Sequence, residues 1–346
     1  MPQVQLSPLP TPYDAGTGSN PLLSVNDLSV TFRKSRGSIR RTQLTIKAAD
    51  RVTFEIRESE IVSLVGESGS GKTTVARSVM GLQAASQGSI RYRGAEVLGR
   101  KGSSLRDYWR EVQMIYQDPF ESLDPGRSVQ TIISTSIRNL TGERDNDAIR
   151  RKVITLLEEM ELDPADVLNK YPHQLSGGQR QRVNIARALA SDPKLILADE
   201  PITMLDAAQK MNILRLLRRL QSKRRLSILL VTHDLASARV MSQRILVMYL
   251  GRLVEVGATE TVMSRPHHPY VELILQSTPR LRRNYEVQAE GGRALSSIEQ
   301  SEDVTKGCAF QPRCRYSTSI CQTTEPELTE KSSGHSAACH NPLNVS

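Results

Sequence analysis

An α/β fold with an antiparallel β flank, a helical insertion and a small Cys-rich C-terminal extension is expected from three observations. The stretch "IVSLVGESGSGKTTVARSVMGL" runs from a short apolar strand through a glycine-rich loop into a helix-periodic segment. "LILADEPITMLD" reads as a second buried strand with Asp199 and Glu200 side by side at its end. All four cysteines, Cys308, Cys314, Cys321 and Cys339, lie near the C-terminal end. The 346 residues, 38% of them hydrophobic, allow one large domain or two with a sizeable core.

Taken in order, residues 1–21 have neither a basic start nor an apolar h-region, so they are expected as a flexible polar leader and not a secretion signal. Residues 22–115 and 186–255 are expected to form a nucleotide-binding core whose antiparallel flank includes hairpins at "SIRYRGAEVL" and "ILVMYLGRLVEV". Between them, residues 116–185 contain the helix-periodic "RSVQTIISTSIRNL" and "AIRRKVITLLEEMEL" and form a helical insertion. Residues 256–346 form the extension, with "NYEVQAEGGRALSSIEQSEDV" as a polar linker. No apolar run approaches the roughly 18 residues of a membrane-spanning helix, so a soluble, cytoplasmic chain is expected. The formal charge of +9 and the basic runs "FRKSRGSIRR" and "RLRRN" would suit nucleic acid or an anionic membrane, but a solvated face explains them more cheaply.

The glycine-rich loop carries the first chemistry. Gly66, Glu67, Ser68, Gly69, Ser70, Gly71, Lys72 and Thr73 fit G-x-x-x-x-G-K-[ST], the phosphate loop of a P-loop NTPase (RecA-like) core, and Thr74 continues into the helix. The glycines let backbone N–H groups turn inward around phosphate oxygens, and the helix N-terminus adds partial positive charge. Lys72 can reach the β and γ phosphates, while Thr73 can place its hydroxyl on Mg²⁺. An isolated buried carboxylate is costly, so the acid pair at 199 and 200 needs a purpose. Asp199 can hold Mg²⁺ through water. Glu200, expected on the opposite side of an extended chain, can polarise the attacking water before Pro201 stops the strand.

The segment between these strands is more specific. "YPHQLSGGQRQRVNIARALASDPK" contains Leu175, Ser176, Gly177, Gly178 and Gln179 in an order that chance would produce less often by roughly three orders of magnitude. Ser176 and the two glycines make a bare helix N-terminus, a second anion site that the first loop does not need. A composite site follows.

On these motifs the chain resembles, over about residues 22–345, the ATP-binding subunits of ABC transporters. The resemblance implies an ATPase in which the signature of one subunit closes over the nucleotide of another, with ATP between them. It implies that Gln117 of "QMIYQDPFESLDP" senses Mg²⁺ and the membrane partner, and that His233 of "LLVTHDLASA" contacts the γ phosphate. It further implies that Asp206 of "TMLD" couples two sites across a dimer and that Phe32 stacks on adenine. "YQDPFESLDP", "VMYLGRLVEVGATETV", "PHHPYVELIL" and the Cys-bearing tail are similar to the oligopeptide, dipeptide and nickel importer branch, with Asp124 where an asparagine is usual and Thr203-Met204 where Ser-Ala is common. The implied partners are a second ABC ATPase subunit (a paralogue or a copy of itself), two transmembrane permease subunits and, indirectly, an extracytoplasmic solute-binding protein. The implied place is the cytoplasmic face of the membrane, without nucleic acid. The rival reading is a soluble ABC-type ATPase acting on nucleic acid or ribosomes; one cassette and an importer-type tail favour the transporter motor.

The cysteines carry the second signal. Disulfides are disfavoured in a cytosolic protein, so metal binding is the expectation. Intervals of five, six and seventeen residues do not match tight zinc knuckles. Four thiolates at Cys308, Cys314, Cys321 and Cys339 suit a 4Fe-4S cluster, which the resemblance to importer ATPases supports. Zinc, using His335 or His340, and unligated buried cysteines are the alternatives.

Overall fold

The computed structural model describes residues 20–36, 42–277 and 306–344. The expected leader up to residue 19, the "RLRRN" run, the linker and part of "FRKSRGSIRR" lie outside the described residues. Two sheets organise the rest. The smaller contains β1 (Leu23–Arg36), β2 (Thr42–Ile56), β4 (Gln87–Tyr92) and β5 (Ala95–Glu96) in the order β2-β1-β4-β5. Its pairings are antiparallel, and β4 and β5 form the expected hairpin through Tyr92 and Ala95.

The larger sheet has the order β11-β12-β10-β9-β3-β8-β7-β6. Its centre is parallel: β9 (Arg244–Tyr249), β3 (Ile61–Val65), β8 (Ser227–Thr232), β7 (Leu195–Asp199) and β6 (Val112–Ile115). Every residue of β3, β7 and β8 is buried, which is why these strands read as continuous apolar runs and not as alternation. Parallel register places the end of β7 beside that of β8, with Asp199 opposite Val231, so chemistry-bearing residues that follow these strands meet at one edge. The helix Lys72–Val79 follows β3, burying Val75, Ala76 and Val79 against the sheet.

Helices Val129–Thr141, Asn146–Glu159 and Gly177–Ala188 share one apolar cluster, in which Ile133, Ile137, Ile149, Val153 and Leu157 recur at helical spacing. Ser128 and Asp145 accept N-cap bonds from Thr131 and Asp147, each worth about 1 kcal/mol. Gly142 ends the first of these helices at φ 79°, a left-handed cap that glycine adopts without strain.

The C-terminal extension completes the large sheet. β10 (Arg252–Ala258) forms the expected hairpin with β9, and β12 (His335–Ala337) adds antiparallel to β10, followed by β11 (Thr329–Ser332). No pattern in the sequence marks these two tail strands. The tail's anchor is Glu255, which is fully buried. Its carboxylate accepts from the His267 and His268 amides at 2.8 and 2.7 Å and lies 2.6 Å from His335 Nε2. The His267 ring stacks on His335 with centroids 4.0 Å apart. Two backbone amides and the His335 ring thus partner a carboxyl group that would be costly to bury alone.

Candidate functional site

The loop between β3 and its helix wraps around its own lysine. Lys72 Nζ donates to the carbonyls of Gly66 and Glu67, both at 2.8 Å, and lies 3.3 Å from Ser70 Oγ. Burial lowers the Lys72 pKa, while the charges of Glu200 and Asp199 oppose that shift. Two glycines permit the close approach. A Cβ at Gly66 would stand 2.1 Å from the Met248 carbonyl oxygen, and one at Gly71, where φ is 101°, 1.9 Å from that of Ala48. Ser70 closes the loop onto the β9–β10 turn by accepting from the Gly251 amide at 2.9 Å. Ser68 and Gly69 are exposed, and Thr74 lies in the first turn of the helix.

Across the sheet edge the acids meet this loop. Thr73 Oγ1 donates to Asp199 Oδ1 at 3.1 Å, joining two residues 126 positions apart. Asp199 is buried, and desolvation raises its pKa, with the Thr73 hydrogen bond opposing and the Glu200 charge adding to it. Glu200 departs from the expected extended geometry: its φ is 46°, in the left-handed region, because β7 has ended at Asp199 and the chain turns sharply. The turn, and not strand alternation, aims its carboxylate. Oε1 lies 3.2 Å from His233 Nδ1, and Oε2 accepts from Thr203 at 2.9 Å and from Gln117 Nε2 at 3.3 Å. The hydrogen bond with His233 lowers the Glu200 pKa, and the same bond raises that of His233.

Lys72, Thr73, Asp199, Glu200, Gln117 and His233 are therefore one constellation, and the donor set fits a magnesium nucleotide: a hydroxyl and a carboxylate in contact, two adjacent acids, and a cation in a loop with no room for side chains at its tight points. Thr203 belongs to it as well. In the sequence Thr203 stands out only as a departure from the family pattern, although its spacing of three from Glu200 across a turn is the signal that could have found it. The signature stands apart from this constellation. Ser176 and Gln179 bond to each other in a capping box at the start of Gly177–Ala188, with Ser176 and Gly177 exposed. Gly178 abuts Gln209, in the helix that Asp206 caps by accepting from the Gln209 amide at 2.9 Å. Signature and Asp206 therefore share one exposed face. Phe32 is exposed on β1.

The metal-binding reading of the tail is corrected. Cys308, Cys314, Cys321 and Cys339 line one small cavity with Phe310 and Asn341. Among the described residues, however, no group of three or more His, Cys, Asp or Glu is placed to hold a metal ion. Burial raises the thiol pKa of Cys308 and Cys314, and that of Cys339 to about 11. Cys308 and Cys314 pack against the apolar cluster of Tyr249, Tyr270 and Phe310, as small apolar side chains do. The histidines proposed for zinc are otherwise engaged, His335 with Glu255 and His340 with the Thr324 carbonyl at 2.9 Å. The 4Fe-4S and zinc expectations are both withdrawn.

Comparison with known proteins follows the same lines. Residues 49–203 match the ABC transporter family, and residues 254–321 match the oligopeptide/dipeptide transporter C-terminal region. The oligopeptide transport ATP-binding protein OppF of Escherichia coli is 38% identical over 328 residues, 93% of this chain and 96% of that protein. OppF of Salmonella typhimurium is 37% identical over 92% of this chain and 95% of its own length. Among solved structures, the dimeric, post-hydrolysis ATP-binding cassette MJ0796 bound to ADP and Pi superposes with TM-score 0.60 at 28% identity, over 68% of this chain and 98% of that one. Fold and site thereby define an ABC-type ATPase. The chain belongs to the ATP-binding proteins of oligopeptide/dipeptide ABC transporters. None of these matches favours the nucleic-acid or ribosome alternative. Among the described residues no helix is long and apolar enough to cross a membrane.

Proposed function

We propose that this chain is the ATP-hydrolysing motor of a peptide importer, working on the cytoplasmic face of a membrane against two permease subunits and a second ATPase chain. The observation that carries this reading is Glu200, held among His233, Thr203 and Gln117 beside the Thr73–Asp199 pair. Lys72 would exchange its loop carbonyls for the β and γ phosphates of ATP, and the loop amides would cradle the same groups. Thr73 and Asp199 would hold Mg²⁺, with Gln117 close by; the ion, when bound, neutralises phosphate charge. Glu200, kept ionised by His233, would orient and polarise the attacking water, and His233 would contact the γ phosphate. Ser176, Gly177, Gly178, Gln179 and Asp206, on one exposed face, would close over the nucleotide of the second chain, whose hydrolysis then separates the pair. Phe32 would stack on adenine.

The test is Glu200→Gln. It should bind MgATP as the parent does yet hydrolyse it more slowly by at least about a hundredfold, accumulating a closed dimer visible by size-exclusion chromatography. Turnover within a few fold of the parent would remove Glu200 from its role.

A further inference from the structure

Glu67, second in the phosphate loop, has each of its polar groups held by another residue. Its carbonyl accepts from Lys72 at 2.8 Å. Its amide donates to the Tyr270 hydroxyl at 3.0 Å, a residue 203 positions away. Its carboxylate takes both arms of Arg313, Nη1 to Oε2 and Nη2 to Oε1, each at 3.0 Å across 246 positions. Two of these three holds come from the C-terminal extension.

Arg313 is itself fixed. Its guanidinium lies 5.8 Å from the Tyr249 ring centroid and 5.7 Å from that of Phe310, and Nη1 approaches the Tyr249 hydroxyl at 3.4 Å. Tyr249, Tyr270 and Phe310 pack mutually, with centroids 4.6 to 5.5 Å apart. The side chains of Arg313 and Glu67 are only 28% and 23% exposed, so water screens the pair incompletely. A forked, charge-assisted pair on an aromatic platform resists replacement by a lysine, which offers a point charge without the fork.

A carboxylate in a loop that must surround a polyanion opposes binding by simple Coulomb repulsion. We propose that Arg313 is a positioning residue for nucleotide binding. By pinning and neutralising Glu67 it lets the loop meet the triphosphate without an opposing charge, so the C-terminal extension sets ATP affinity from outside the cassette. This rests on the phosphate-loop assignment made above.

The experiment measures MgATP affinity of the full chain by titration calorimetry, alongside KM and kcat. Arg313→Ala should weaken Kd and KM about five- to tenfold while kcat stays within about twofold, the span expected for one partly screened, forked ion pair. Adding Glu67→Gln to Arg313→Ala should recover most of the loss, because the uncompensated charge is gone. A role confined to holding the tail would lower Tm without moving Kd, and Glu67→Gln would rescue nothing. Either an Arg313→Ala Kd within about twofold of the parent, or a double variant no tighter than the single one, overturns the proposal. Should Arg313→Ala fail to fold, Arg313→Gln, which keeps a long polar side chain but no charge, decides: weakening of about five- to tenfold supports the proposal, and parent-like affinity overturns it. Lys72→Ala is the control. If it binds MgATP as the parent does, the phosphate-loop reading fails, and that failure is distinct from a null result at Arg313.

Discussion

Glu200 and His233 hold each other's charge. The bond raises the His233 pKa above its ordinary value of 6.5 and lowers that of Glu200 below its ordinary 4.5. The imidazolium form therefore persists to higher pH than in a free chain, and its contribution is lost as pH rises through the raised His233 value. At the acid end the carboxylate's contribution, present above its unfolded value, is lost as pH falls through the lowered Glu200 value. NMR titration should place the His233 midpoint above 6.5, and Glu200→Gln should move it downward. A midpoint unchanged by that substitution would mean that the contact does not set the protonation of His233. At this scale the meeting of Lys72, Thr73 and Asp199 was legible because local spacing sets each at the end of a strand. The orientation of Glu200 was not, because its left-handed backbone arises where a strand ends against a turn, and pattern reading extends the strand geometry too far.

Among elements, the loop between β3 and its helix is the one most tightly bound to its glycines. Gly71→Ala would demand φ near 101° of a residue with a Cβ and thrust that atom onto the Ala48 carbonyl oxygen. The expected loss is about 2–3 kcal/mol of stability, read as a lower Tm, together with weaker MgATP binding, because the loop must move to accept the methyl group. An unchanged Tm would show that the loop relaxes freely. The strand–loop–helix unit and both hairpins declare themselves in sequence through apolar runs and turn glycines. β11 and β12 do not. "TEKS" and "HSA" are too short and too polar to show a period, and β10, the strand on which β12 pairs, lies some eighty residues earlier, as the His335–Glu255 contact shows.

Across the whole molecule, the tail is joined to the cassette both by the apolar cluster around Phe310 and by the buried Glu255. Glu255→Ala would strand the His267 and His268 amides and His335 in a dry interior, at a cost of about 3–5 kcal/mol. Hydrogen exchange should accelerate through residues 306–344 well before the parallel strands respond; uniform acceleration everywhere would mean that the tail and the core unfold as one. The sequence motif "PHHP" and the lone acid in β10 carry no hint of one another, since a pairing over this separation leaves no periodic trace.

The same docking has a colloidal side. β10 meets β12 through Glu255 opposite Ala337 and Val256 opposite Ser336, and the Ala338 amide adds a bond to the Val254 carbonyl at 2.8 Å. Beyond it the rim is β11, four residues long and carrying Glu330 and Lys331, a poor template for further strand addition. Chains cut before residue 306 would leave β10 as a raw edge of unpaired amides and carbonyls. They should scatter light and pellet at concentrations where the intact chain stays clear, so the short polar strand at the margin acts as a guard against fibre-like stacking.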